Sequence, residues 1–134
     1  MLLHLFYSSA TAFFLKKEKI MLIISRFLFT RFLKTYSGIT LFPFIILKHA
    51  KNEISEYDFN VLLNHEKIHF YQQLETLIVF FYILYLFFYI KNRLKGLKHF
   101  AAYQNIPFER ESYEFEKDLS YLKNRKFWAW RKFF

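Results

Sequence analysis

The clearest patterned stretch of polar and apolar positions is "ISEYDFNVLLNHEKIHFYQQLE", residues 54–75. Ser55 followed three residues later by Asp58 is a capping-box signature. It predicts a helix from Glu56 through both histidines. The uncharged run "LIVFFYILYLFFYI", Leu77 to Ile90, carries the helical pattern on. "KNRLKG" closes it with positive charge and Gly96, as a helix C-terminus prefers. A second helix is expected over 105–124, with Pro107 in its first turn and glutamates close behind.

Upstream, "IMLIISRFLFTRFLKTY" (20–36) mixes apolar residues with Arg26, Arg31 and Lys34. It reads as a helix lying on a membrane or on the domain. Ser37-Gly38 breaks that pattern, and "ITLFPFIILK" (39–48) is β-rich, with Pro43 confining it to an edge position. Residues 1–15 are apolar and "KKEK" follows them; a secretory signal places its charge first. Met21 is a second candidate start. The tail "RKFWAWRKFF" alternates basic and aromatic residues and reads as an interfacial anchor. Two parts result: an apolar and basic N-terminal segment, 1–36, and a folded domain, 37–134.

Composition sharpens the picture. Twenty Phe, ten Tyr and two Trp in 134 residues are too many large rings for one small core to hide. Some are expected to face lipid or a partner. The net charge of +9 points to an anionic membrane surface. No nucleic-acid-binding motif is present, so nucleic acid is not an expected partner. The uncharged run at 77–90 has fourteen residues, short of the roughly twenty that span a bilayer. There is no cysteine, so a transition metal would have to be held by His and carboxylate.

The chemistry sits at His65-Glu66-Lys67-Ile68-His69, an H-E-x-x-H pattern. On a helix, histidines four apart leave one face with Cβ atoms about 5–6 Å apart, close enough to share an ion. Glu66 sits about 100° round from His65, so it suits a general base acting on an activated water better than a ligand. Gln72 lies seven residues after His65 and Gln73 seven after Glu66; both are candidates to orient the ligands by hydrogen bonds. A third ligand is expected from "FERESY" (108–113), since His₂Glu is a catalytic zinc set. Glu109 and Tyr113 share a face; Glu111 lies about 200° from Glu109, so only one of the two glutamates can reach the ion. Glu114 and Glu116 read as solvated helix-end charges. His49 and His99 read as surface residues, either of which becomes a ligand only in a different fold.

These two motifs resemble those of gluzincin-type zinc metallopeptidases, in which H-E-x-x-H on one helix is completed by a glutamate on a later one. The chain also resembles small uncharacterised bacterial proteins with H-E-x-x-H-x-x-Q-Q and F-E-R-E-A-Y; Ser112 stands here for Ala, and Tyr113 stands where Asp is commoner in gluzincins. The resemblance covers roughly residues 38–130. It implies a mainly α fold with a small β element, an α+β arrangement of minimal zincin type with one edge strand or hairpin. It implies Zn2+ on His65, His69 and Glu109, Glu66 as base and proton donor, and Tyr113 steadying the site or an oxyanion. Gln72, Gln73 and Glu111 would support the ligands. The expected substrate is a peptide or protein added along the 39–48 strand, and the expected location is a membrane surface. A shared ion requires 105–123 to pack antiparallel on 56–80. The alternative is a membrane-associated protein without catalysis, whose polar cluster is a structural metal site or no metal site.

Overall fold

Ser55 starts the long helix in the way its spacing with Asp58 predicts. In the computed structural model, which describes residues 20–134, its hydroxyl accepts from the Asp58 amide at 3.0 Å and donates to Asp58 Oδ2 at 2.6 Å. The order of elements is β1 (Met21–Ile24), α1 (Arg26–Arg31), β2 (Gly38–Leu41), β3 (Phe44–Leu47), α2 (Glu56–Glu75), α3 (Val79–Leu94), α4 (His99–Gln104), α5 (Pro107–Phe115), α6 (Tyr121–Asn124) and a 3-10 turn at Ala129–Phe133. The fold is therefore mainly α with one small sheet. The expectations for residues 1–19 lie outside the described residues.

Of the two forms expected for the 39–48 stretch, an edge strand or a hairpin, the chain takes the second. It folds into a β2–β3 hairpin around a cis Phe42–Pro43 bond, with Leu41 opposite Phe44. Pro43 sits in the two-residue turn, where its missing N–H removes nothing from the ladder. The sheet order is β1-β3-β2, so β3 is central and β2 is an edge. The place on β3's other side is filled by β1, in parallel register with Met21 opposite Phe44. This corrects the expected helix over 20–36: "MLII" pairs as a strand, and only Arg26–Arg31 is helical, opened by the Ser25 hydroxyl. The sheet's Ile45 and Leu47 pack with Phe59 of α2 in one of two cores.

The helix expected from Glu56 through both histidines does form and runs to Glu75, but it does not continue into the apolar run that follows. Thr76 turns its hydroxyl back to the Gln72 carbonyl at 2.7 Å, and Leu77 and Ile78 take φ of +56° and +61°. Val79 N then bonds to Leu77 O at 2.6 Å, closing a γ-turn of the strained positive-φ kind. This bends α3 by 111° from α2. Two such residues cost roughly 1–2 kcal/mol each. The bend offsets that by packing Phe81 and Phe88 with Phe108, Ile106 and Trp130 in the second core, where each buried ring contributes about 1.5–3 kcal/mol. No single helix among the described residues is long and apolar enough to cross a membrane.

α5 lies antiparallel on α2. Asn64 Nδ2 reaches the carbonyls of Phe115, Glu116 and Asp118 at 3.0–3.3 Å, while Gln72, two turns on, reaches Phe108 O at 3.0 Å. Asn64 thus adds a side-chain donor at the C-terminal end of α5, where Phe115 O and Asp118 O also accept the Asp118 and Tyr121 amides. Asp118 Oδ1 then binds the Ser120 amide and hydroxyl, turning the chain. These contacts explain why the expected 105–124 helix is divided. The tail also departs from a purely interfacial anchor. Trp130 is core, 3% exposed with its ring 4.6 Å from Phe108, and Arg125 is buried between Glu75 and Glu111.

Candidate metal centre

One turn of α2 and the first turn of α5 bring three ligands to one point. His65 and His69 Nε2 are 3.1 Å apart; Glu109 Oε2 is 3.3 Å from the first and Oε1 3.2 Å from the second. All three residues are buried, and their ligand atoms lie within 4.8 Å of one another. Glu111 faces away, as 200° of helix rotation requires. It accepts from Gln72 at 2.9 Å, Tyr121 at 2.8 Å and Arg125. His49 and His99 are not in the group: His49 pairs with Glu53, and His99 is held by Tyr36 and Tyr89.

The hydrogen bonds behind the histidines fix their protons. His65 Nδ1 is 2.8 Å from Glu116 Oε2, and a carboxylate oxygen accepts, so Nδ1 donates the hydrogen. His69 Nδ1 is 2.8 Å from Gln72 Oε1. The Gln72 amide cannot be reversed, because its nitrogen donates to Phe108 O and Glu111 Oε2. His69 Nδ1 is therefore also protonated. Both Nε2 atoms then present lone pairs to each other and to a carboxylate. Glu109 Oε2 has no hydrogen-bond partner. Three acceptors facing one another in a buried site repel unless a cation lies among them. Two imidazoles and a carboxylate form a fitting donor set for a metal ion.

Without a metal, protons serve as that cation. Burial alone would lower the His65 pKa, but Glu109 and Glu116 outweigh it and lift it to about 10. His69 is raised against burial by Glu109. Burial would raise the Glu109 carboxyl, but His69 and His65 hold it well below the usual carboxylate range.

Glu66 is buried beside β2. Its Oε2 is 2.7 Å from Thr40 Oγ1, whose hydroxyl also lies 2.9 Å from the Glu66 carbonyl. One hydroxyl has one hydrogen, which the Glu66 carbonyl and carboxylate oxygens share. Burial pushes the Glu66 pKa up, against the pull of His65 and His69. Gly38 makes the room: a Cβ there would lie 2.9 Å from Glu66 Cδ and closer still to Oε1. Glu66, His69 and Glu109 open on one cavity of about 350 Å³, walled by β2, Phe81 and five tyrosines, 36, 82, 85, 89 and 103.

Three expected roles are placed differently. Gln73 does not reach a ligand: its amide donates to Thr40 O at 2.8 Å and accepts from Phe42 N at 3.1 Å. It pins β2 to α2 and occupies the turn end of the strand edge expected to receive substrate. Tyr113 packs edge-on against His65, ring centroids 4.8 Å apart, and its hydroxyl is 3.4 Å from Tyr103 Oη. It does not line the cavity. The phenol on a ligand is Tyr85, which donates to Glu109 Oε1 at 2.7 Å. Tyr82, Tyr85 and Tyr89 at helical spacing were the available signal. Glu116, read as solvated, is the His65 partner; it lies seven residues after Glu109, as Gln72 does after His65.

Comparison of the chain with protein-family models, with curated proteins and with solved structures finds no match in any of the three.

Proposed function

We propose that this chain is a zinc-dependent hydrolase of peptide bonds, with His65, His69 and Glu109 holding the ion. The observation that carries this reading is the pair of Nε2 lone pairs, fixed by Glu116 and Gln72, converging with a buried carboxylate oxygen that has no other partner. An N₂O donor set without thiolate suits zinc. Zinc so held supplies Lewis-acid polarisation of a carbonyl and lowers the pKa of a water toward about 7.

The chain's own residues supply the rest. Glu66 Oε takes a proton from the attacking water and later gives it to the leaving amine. Burial makes this carboxyl a stronger proton acceptor than an exposed one. Thr40 and Gly38 hold it against β2, and Tyr85 holds Glu109 by its Oε1. The aromatic walls exclude bulk water and suit an apolar substrate side chain. The free part of the β2 edge, at Gly38 and the Thr40 amide, offers backbone bonds to a short extended peptide. The resemblance to gluzincins in H-E-x-x-H and "FERESY" supports the same assignment.

The test is Glu66→Gln. Metal content and cleavage of a fluorescent casein are measured on the zinc-loaded chain. A retained ion with turnover lowered at least about a hundredfold supports the reading. Equal turnover would overturn it, and unfolding of His69→Ala with no cleavage by wild type would favour a structural ion.

A further inference from the structure

We propose that the outer face of α3 docks on an anionic lipid bilayer, an inference independent of the metal centre. The two sides of this helix differ. Phe81, Tyr85 and Phe88 face inward, against Phe108 and the cavity. On the other side Phe80, Ile83, Leu86, Phe87, Ile90 and Leu94 are 47–83% exposed. Their spacings of three, three, one, three and four residues put them on one continuous stripe. Large apolar stripes of this kind mark an interaction surface.

Charge selects the occupant. Lys91 and Arg93 lie in the last turn of α3, and Lys95 and Lys98 follow at once. From Thr76 through Phe108 there is no Asp or Glu. A second copy laid on this stripe would offer those cations no carboxylate from the same segment. Anionic headgroups above an acyl layer meet both needs, with each basic side chain near the surface contributing favourably. At sixteen residues α3 is about 24 Å long, less than the roughly 30 Å hydrocarbon core, so it lies in the interface and does not cross. Its 111° turn away from α2 leaves the stripe free to do so.

The full chain is sedimented with vesicles of phosphatidylcholine alone and with 30% phosphatidylglycerol (roughly the anionic fraction that gives a sizeable surface potential). Binding at least about tenfold stronger to the anionic vesicles is expected, weakening with salt. The double variant Ile83→Asp, Phe87→Asp should lose at least about tenfold of that binding while its metal content and melting temperature stay unchanged. Reversing Lys91, Arg93, Lys95 and Lys98 to Glu should abolish the preference for phosphatidylglycerol. The chain has no cysteine, so Ile83→Cys carries a single environment-sensitive label even if the Asp variant misfolds. Its emission should shift to the blue on anionic vesicles and be quenched by brominated acyl chains. Absence of vesicle binding, an unshifted label, or a dimer dissolved by the double variant would each overturn the proposal.

Discussion

His65 and His69 point their Nε2 atoms at each other across 3.1 Å, and each has its Nδ1 tied to an oxygen acceptor, of Glu116 and Gln72 respectively. The pair is therefore preset to bind a cation. The neighbours that impose this arrangement are as much part of the centre as the ligands.

Gln72→Leu removes the group that fixes the His69 tautomer. Zinc affinity is expected to fall about 10–100-fold in a chelator competition. The change also strips Phe108 O and Glu111 of a buried donor, and stability should drop by about 1–3 kcal/mol in a denaturant melt. Unchanged affinity would mean that the Ser112 hydroxyl, 3.4 Å from the same Nδ1, and packing suffice to orient His69.

Gly38→Ala tests the placement of Glu66 without touching a ligand. The added Cβ falls 2.9 Å from Glu66 Cδ, so the carboxyl must move off Thr40. Metal content should be retained while the rate of peptide cleavage falls at least about tenfold, since misplacing a base by an ångström is costly. Retained activity would show that the Glu66 position is not critical.

The pH dependence should have opposite signs with and without metal. His65 has its pKa raised from 6.5 to about 10, so in the metal-free chain its stabilising effect is full below about 6.5 and is lost as pH rises through about 10. Metal binding must displace that proton. Zinc affinity should therefore rise about tenfold per pH unit between roughly pH 7 and 9, while the metal-free melting temperature falls. Calorimetric titration in buffers of different ionisation enthalpy would count the released proton.

The helix break yields a stability prediction. Leu77 is 60% exposed at φ +56°, so Leu77→Gly gives up little burial and removes a steric penalty. A change between neutral and about 1 kcal/mol stabilising is expected from thermal melts, against the loss that a glycine inside an unbroken helix would cause. A loss of about 1 kcal/mol or more would show that the bend is not strained.

Much of the centre was legible in the residues because helix geometry alone converts spacing into direction. His65, His69 and Gln72 share a stripe by number, and Glu109 and Glu111 diverge by number. The Ser55 cap followed from an equally local rule, whereas the antiparallel partner helix was expected only because a shared ion required it. What stayed hidden depended on contacts between distant segments. Nothing local says that Asn64 will cap α5, that Arg125 will be drawn into the core by Glu75 and Glu111, or that "MLII" will find β3. The 76–78 turn was hidden for a related reason. An apolar run reads as continuous helix until the rings it must bury, Phe81 and Phe88, are known to lie to one side.

The most direct test is metal stoichiometry by plasma mass spectrometry on the full chain purified without chelator and dialysed against excess zinc. About one equivalent in the wild type, lost in His65→Ala and in Glu109→Ala while circular dichroism still shows helix, is the expected result. Wild-type protein that stays folded and holds no metal at any loading would contradict the account.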